Sequence, residues 1–492
     1  MGLLDAFWEQ KNYVTPEEFK SFCNSTVPLA RLRRVFTTAE TLNADLELAH
    51  FGPEPIENAI AVWKIIGGPG AQGESEARTV PIGKNIPMGK ATFDLSKLAP
   101  GEYKLVLTVA PVSFFTPVDR KIIPGRGVVR GVTYFENDWR FWVFPAGGEI
   151  GNSPDCPPSG EPEPLVTRSW EEAEKRLATG GRVLFVPYPS DLNWTNPPLD
   201  FVPIFFNRLT TPGWSRSLGL WINRPIEESK SRALDGFPTS THFDWQWAQI
   251  IQNVRAVNLD HWPAELEPIV WAIDDWNRNY KLGVIFEAAV GDGRLLVSAF
   301  DITRPNETNP VARQLRNVLL RYAKSDCFQP NVSLEPSLIR TLFFDTLVMK
   351  KLGAVAEVDG ASANNLVDGD PNTFVRVGQQ GAELREQVDI IVRFRSSVAL
   401  RGLVLMPRQG HREHEGDIRS YAVQVSDDGL DWRDVARGEL VSTFAPQQIA
   451  FSRTVTARYL KLISLSGFGP DKTTSLAELA VIYAGPKLAE QK

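Results

Sequence analysis

The amino-acid sequence predicts a multidomain α+β protein made of a β-sandwich, a doubly wound α/β domain and a second β-sandwich, in that order. Apolar residues alternate with period two at Leu42, Ala44, Leu46 and Leu48, and again at Val388, Ile390, Val392 and Phe394. Between these stretches a helical period (Val311, Leu315, Val318, Leu319, Tyr322) is interleaved with short apolar runs. The chain has 492 residues, enough for three or four units of ~100–200 residues each. With 43% hydrophobic and 23% charged residues, the composition disfavours disorder, collagen-like repeats and a coiled-coil rod.

Residues 1–30 read as one or two helices. Thr15-Pro16-Glu17-Glu18 offers an N-cap, a proline at the first helical position and early acids, ahead of Phe19, Phe22 and Cys23. So short a piece cannot form a core and must pack on something else. Residues 31–145 form the first sandwich. Leu105, Leu107 and Val109 alternate after the Pro100-Gly101 turn, and Asp138-Trp139-Arg140-Phe141-Trp142-Val143-Phe144-Pro145 reads as the last strand of an immunoglobulin-like module. Residues 146–165, with Pro154, Pro157, Pro158, Pro162 and Pro164, read as a linker or an irregular crossover.

In residues 166–330, Ser169 and Glu172 make a capping box for a helix ending at Gly180-Gly181, and an apolar strand over 183–186 follows. Further strands are expected at 218–222, 269–273, 284–286 and 295–300, with a long helix after Asn309-Pro310. Gly291-Asp292-Gly293 reads as a tight hairpin turn, since a phosphate cradle needs a longer glycine pattern opening a helix. Residues 331–350 connect to the second sandwich, 351–492, where Tyr421, Val423 and Val425 alternate before an Asp428-Gly429 turn. No repeat at a period of 20–50 residues is present, which disfavours solenoids and propellers.

With 53 basic against 59 acidic residues and no Lys/Arg block, nucleic acid is an unsupported partner. No apolar run approaches the ~18–20 residues that span a bilayer, and the N-terminus lacks a basic segment followed by an apolar one. Cys23, Cys156 and Cys327 lie far apart, so neither a disulfide framework nor a metal ribbon, nor a compartment, can be read from them. The 14 tryptophans cluster in motifs such as NDWRFW and HFDWQW, a residue type that stacks on sugars and anchors interfaces.

Several motifs carry a family resemblance. LLDAFWEQKNYVTPEEFKSFCNSTVPLARL followed by NDWRFWVFP resembles the segment after the catalytic barrel in bacterial β-galactosidase-like members of glycoside hydrolase family 2. GFPTSTHFDWQW, PIVWAIDDWNRNYKLGVIFEAAVGDGRLLVSAFDI and ARQLRNVLL resemble the accessory domain of those enzymes, which is similar to class I glutamine amidotransferases. NLVDGDPNTF, LMPRQ, YAVQVSDDGLDW, ARYLKL and SLAELAV resemble a discoidin or F5/8 type C domain, the galactose-binding-like fold of carbohydrate-binding module family 32. The resemblance leaves out the barrel that holds the family's catalytic glutamates. It implies a carbohydrate-binding, accessory C-terminal portion of a glycosidase that targets a barrel upstream in a longer chain to galactose-containing glycan. It also implies a periplasmic or extracellular location. Two alternatives stay open: a glycosidase with an unrecognised carboxylate pair, and a stand-alone glycan-binding scaffold.

For hydrolysis, Asp274, Asp275 and Glu287 are the acids to inspect, because they fall at or near predicted strand ends where open α/β sheets bind ligands. The plainer reading makes the two aspartates turn caps and Glu287 a scaffold acid. An amidotransferase-type nucleophile is missing: Cys327 follows the last helix, no GxSxG occurs, and only His242 and His261 are available. No organic cofactor is expected. The Asp/Asn/Gly-rich turn at 365–373 offers the closely spaced oxygens that a hard cation requires. The resemblance makes it a structural Ca²⁺ loop, with the carbonyls of Asn365, Asp370 and Ala477, the carboxylates of Asp368 and Glu478, and Thr373. The alternative is a metal-free Asx-rich turn. For sugar, the resemblance matches Arg408 to a sugar-contacting arginine; His411, Arg412, His414 and Phe468 lie in neighbouring loops. Arg408 is expected in a loop and not on a core-facing strand position. Relatives often carry Trp-His where Val375-Arg376 stands here, a departure that bears on galactose preference.

Overall fold

The structure, a computed structural model, describes residues 9, 14–115, 128–129, 132–147, 156–199, 219–222, 232–241, 244–252, 254–274, 279–303, 308–343, 347–377, 387–409, 414–470 and 473–486. The short helix Pro16–Phe22 begins as its sequence dictates, with Thr15 accepting from the Glu18 amide and Glu18 answering to the Thr15 amide.

The first sandwich packs a three-stranded sheet, ordered Thr26–Arg31, Thr41–His50, Gly83–Asp94, on a second sheet. That second sheet runs Val35–Thr37, Phe135–Phe144, Gly101–Pro111, Ile56–Ile66, Gln72–Glu74, with Arg78–Val80 also pairing on Ile56–Ile66. Leu42, Leu46 and Leu48 of one sheet meet Trp63, Leu105 and Leu107 of the other in one buried cluster. The strand Phe135–Phe144 explains its own unbroken apolar ending. Successive side chains point to opposite faces of a strand, so Phe141 and Val143 enter this core while Trp142 and Phe144 enter the core of the next module.

The middle module is a three-layer structure on a mixed sheet, ordered Leu165–Thr167, Arg182–Phe185, Gly293–Ser298, Leu282–Val290, Val270–Ile273, Gly219–Ile222. Helix Pro310–Lys324 covers one face through Val311, Leu315, Val318 and Tyr322; helix Trp170–Leu177 covers the other through Ala173 and Leu177. Helices on both faces agree with a doubly wound reading, but only the first three strands run parallel. The remaining described pairs are antiparallel. The cause is local: Gly291-Asp292 closes a hairpin in which Val290 pairs with Gly293, and Gly291 takes φ +58°. A two-residue connection can join only antiparallel neighbours.

The 146–165 stretch does not float as a linker where it is described. Glu161 binds Arg182 at 2.7 Å and Glu163 binds Lys324 at 2.6 Å. Cys156 and Cys327 form a disulfide with Cα atoms 5.6 Å apart, a pairing that sequence spacing did not reveal.

In the C-terminal sandwich the strand Val388–Met406 pairs along its length with Gln447–Gly467. It pairs with Val355–Val358 in its first half and Glu478–Tyr483 in its second. Register shifts at Arg393/Val398 and Leu400/Gly402 let it turn between the two surroundings. Gly402 is required there, because a Cβ would stand 2.3 Å from the Ile449 carbonyl. A separate two-stranded sheet joins Val375–Val377 to Thr474–Leu476. Trp194, from a loop of the middle module, is buried in this sandwich's core cluster.

Candidate functional site

Among the described acids of the middle module, Asp274 and Glu287 do not assemble as a pair. Asp274 follows the strand Val270–Ile273, is buried, and accepts from the Tyr280 amide at 2.9 Å, which is a turn-capping role. Glu287 sits within the strand Leu282–Val290 and accepts from the Tyr322 hydroxyl at 2.8 Å. Since Ala272 pairs with Leu282, Asp274 lies opposite the region of Tyr280, seven residues along the strand from Glu287. At the usual rise this is ~23 Å, beyond the ~9.5 Å that an inverting pair tolerates. Burial pushes the Glu287 carboxyl up to about 7, a scaffold effect opposed by the Tyr322 hydrogen bond. Asp275 and His242 lie outside the described residues, His261 is exposed, and Cys327 is in the disulfide.

The Asp/Asn/Gly-rich turn does fold into an oxygen-lined loop. Asp368 accepts the Asp370 amide at 2.8 Å, the Asx geometry the composition dictates. The Thr373 hydroxyl stands 3.0 Å from the Asn365 carbonyl and 3.1 Å from both the Asp368 carboxylate and the Asp370 carbonyl. One hydroxyl proton cannot serve three acceptors. Glu478 arrives from the strand Glu478–Tyr483 at 1% exposure, and its Oε1 has no hydrogen-bond partner. Burial first and Asp368 second push its carboxyl up to about 10. An excess of buried acceptors over protons is a demand that a hard cation answers. Among the described residues no group of three or more His, Cys, Asp or Glu gathers, so the loop's donor set is two carboxylates with neutral oxygens. Ala477 is buried next to Glu478, and Arg255 of the middle module acts electrostatically on both Asp370 and Glu478.

The second cluster is continuous with this loop. Phe374 follows Thr373, and its carbonyl accepts from Asn365 at 2.7 Å, so the loop fixes a ring that is 45% exposed. The guanidinium of Arg408 lies 5.3 Å from that ring centre. Arg408 is in the loop after Val388–Met406 as expected, but it is buried, at 6% exposure, and its Nε and NH2 have no hydrogen-bond partner. Burial and then Arg376 lower its proton affinity. His414 adopts φ +54°, pairs through Nδ1 with Asp417 at 3.0 Å and packs its ring 4.2 Å from Phe444. Phe468 is half-buried, and its main chain holds the loop through hydrogen bonds with Gly416 and Asp417. Arg376 is exposed on the strand Val375–Val377, while His411 and Arg412 lie outside the described residues. The sequence reading missed the roles of Phe374, Asp417 and Phe444. Phe374 lay inside the quoted loop motif, whereas the other two had no local signal.

Residues 353–479 match the F5/8 type C domain, while residues 40–145 and 165–344 match two models described as domains of unknown function, DUF8488 and DUF8487. No curated protein matches the chain. Similar solved structures include CpGH89CBM32-5 from Clostridium perfringens in complex with GalNAc-β-1,3-galactose. It is 24% identical, covers 28% of this chain and 99% of its own, and has a TM-score of 0.25. The family 32 module of NanJ from C. perfringens, in complex with galactose, is 19% identical over 27% of this chain and 96% of its own, with a TM-score of 0.24. The C-terminal domain of a chitobiase from Bacteroides fragilis is 26% identical over 25% of this chain and 80% of its own, with a TM-score of 0.22. The third module of this chain, carrying both the oxygen-lined loop and the Phe374–Arg408 cluster, is thus similar to the F5/8 type C domain.

Proposed function

We propose that this chain binds glycan through its C-terminal sandwich, as the non-catalytic C-terminal portion of a β-galactosidase-like glycoside hydrolase. The observation that carries the reading is Arg408: a buried guanidinium with unbonded Nε and NH2 beside a half-exposed aromatic ring. A ring covers the apolar face of a pyranose and a fixed guanidinium donates paired hydrogen bonds to adjacent oxygens. Weak binding of this kind raises the local substrate concentration for a linked catalytic barrel. The resemblances of the first two modules support the link to a glycosidase; upstream gene sequence encoding a barrel tests it.

The cation in this reading is Ca²⁺, held by Asn365, Asp368, Asp370, Thr373, Ala477 and Glu478. Its chemistry there is charge neutralisation of buried acceptors, and the loop's own residues then fix Phe374. The Cys156–Cys327 bond supports a periplasmic or extracellular location, since such bonds persist in oxidising compartments. The rival, a glycosidase acting through Asp274 and Glu287, meets the register separation given above.

Ligand-observed NMR with the full chain and β-galactosides tests the binding. We expect affinities of roughly millimolar to high micromolar. Arg408→Met and Arg408→Lys should both weaken binding at least about tenfold. Both variants are needed because Arg408 is buried, and their melting curves report folding separately. Folded variants that bind like the unaltered protein refute the assignment.

A further inference from the structure

The oxygen-lined loop is not a property of the C-terminal sandwich alone, because the middle module sets a positive charge against it. Resting on the cation reading above, we infer that Arg255 of the middle module and a divalent cation compete for the same acidic loop, so that Arg255 sets the loop's affinity for its cation and each weakens the hold of the other.

Arg255 is mounted rigidly. Its neighbours Val254 and Ala256 are buried in the core of the middle module, and along an extended segment that alternation turns Arg255 away from that core. The Leu199 amide donates to the Val254 carbonyl at 2.8 Å and the Ala256 amide donates to the Pro197 carbonyl at 3.0 Å, so main-chain bonds on either side of Arg255 tie it to residues 197–199. The guanidinium donates to the Asn196 carbonyl at 3.4 Å. Asn196 is itself buried, accepts from the Asn258 amide at 2.9 Å and donates to the Asn193 carbonyl at 3.0 Å. Two residues before it, Trp194 is buried in the cluster that contains Leu366 and Val367 of the oxygen-lined loop and Ala477 beside Glu478. The platform carrying Arg255 is thereby wedged against the loop, and Asp370 and Glu478 act on its charge.

The charges explain why the two cations oppose each other. Asp370 lends the assigned cation site its carbonyl and Glu478 its carboxylate, while the Asp370 carboxylate accepts from the Asn372 amide at 3.0 Å and from its side-chain amide at 2.6 Å, neutral donors that leave its charge in place. When ionised, Asp368, Asp370 and Glu478 present negative charge that a divalent ion and a guanidinium both seek. Once either is present, the other meets a smaller net charge. Two positive groups set against the same acids also repel each other directly, in a place where Glu478 is withdrawn from water and screening is weak. The coupling is reciprocal: whatever Arg255 subtracts from cation affinity, the bound cation subtracts from the attachment of Arg255. The middle module thus holds the loop through Trp194 by packing, which a cation does not touch, and through Arg255 by charge, which a cation opposes.

Calorimetric titration of CaCl₂ into the chelator-treated full chain tests this, with Arg255→Gln, Arg255→Met and Arg255→Lys beside the unaltered protein. Both neutral variants should bind Ca²⁺ at least about fivefold more tightly, the lower end of ordinary coupling between sites, and Arg255→Lys, which keeps the charge, should stay within about twofold of the unaltered protein. Methionine keeps the apolar stem, so it reads the charge even where glutamine disturbs packing, and melting curves report folding for each variant. Unchanged or weaker Ca²⁺ binding by a folded neutral variant overturns the competition while leaving the cation site in place. Equal tightening by Arg255→Lys overturns it as well, since the effect would then come from packing. Ca²⁺ binding by none of the folded proteins counts against the cation reading itself and takes this inference with it.

Discussion

Glu287→Gln makes a sharp test of how the middle module is built. In the folded protein burial raises the Glu287 carboxyl from 4.5 to about 7, while the unfolded chain keeps the ordinary value. A raised folded value means the neutral form is favoured on folding. Its stabilisation is fully present below pH ~4.5, is lost as pH rises through about 7, and is flat above that. At about 1.4 kcal/mol for each tenfold change in proton affinity, the loss by pH 8.5 is about 3 kcal/mol. Glutamine stays neutral, and its carbonyl can still accept the Tyr322 hydroxyl, so the substitution removes the pH slope. The variant should therefore lie within about 1 kcal/mol of the unaltered protein at pH 5 and be about 3 kcal/mol more stable at pH 8.5. For a module of this size that is about 6–12 °C in melting temperature. Scanning calorimetry at pH 5, 6, 7 and 8.5 reads the effect. Tyr322→Phe serves as a second arm, because removing the donor that favours the carboxylate should cost a further ~1 kcal/mol at pH 8.5. Parallel pH profiles for the unaltered protein and Glu287→Gln, or a variant less stable at pH 8.5, would refute the buried-carboxyl argument. Turnover of aryl β-galactosides that disappears in Glu287→Gln would instead revive the enzymatic rival.

Removing Ca²⁺ should destabilise the C-terminal sandwich by ~2.7 kcal/mol for a starting concentration of 100 Kd, read as a lower calorimetric transition, and Asp368→Ala should reproduce it. The deficit should grow between pH 6 and 8, since the Glu478 carboxyl, raised to about 10 without the ion, loses its neutral-form stabilisation as pH climbs above ~4.5; a deficit independent of pH, or no change on chelation, contradicts the cation assignment. The Cys156–Cys327 bond closes a span of 171 residues, so the Cys156→Ser/Cys327→Ser variant should lose about 2–5 kcal/mol in the middle-module transition. An identical transition would mean that the bond contributes nothing.

What the sequence made legible was whatever is written in local periodicity or turn chemistry. The Thr15 cap, the alternation at 388–394 and the Asp428-Gly429 turn each rest on neighbours along the chain, and each is present in the structure. The parallel character of the middle sheet was overread, although the hairpin reading of Gly291-Asp292-Gly293 already implied at least one antiparallel pair. Long-range pairings left no local trace. Cys156 meets Cys327 only because residues 156–165 lie against the end of a helix that starts more than a hundred residues later. The burial of Arg408 has no local signal in its loop, since it depends on Phe374 and the 414–417 loop arriving from two other parts of the chain.

These long-range arrivals converge on one place, and that convergence gives the C-terminal module its logic. The loop at 365–373 does two jobs with adjacent residues: Thr373 closes the oxygen-lined loop while Phe374, held through Asn365, presents the ring beside Arg408. From the other side, the middle module places Trp194 in the sandwich core and sets Arg255 against Asp370 and Glu478. A site on the free end of a sandwich could vary without consequence for its neighbours. Here the loop that supports the Phe374 ring is also the loop on which the Arg255 cation of the middle module acts. Its charge state therefore acts in two directions, toward the Phe374 ring and toward Arg255 of the middle module. Under the proposed targeting role that double attachment matters, because weak binding raises effective concentration only where the geometry lets both sites be engaged at once.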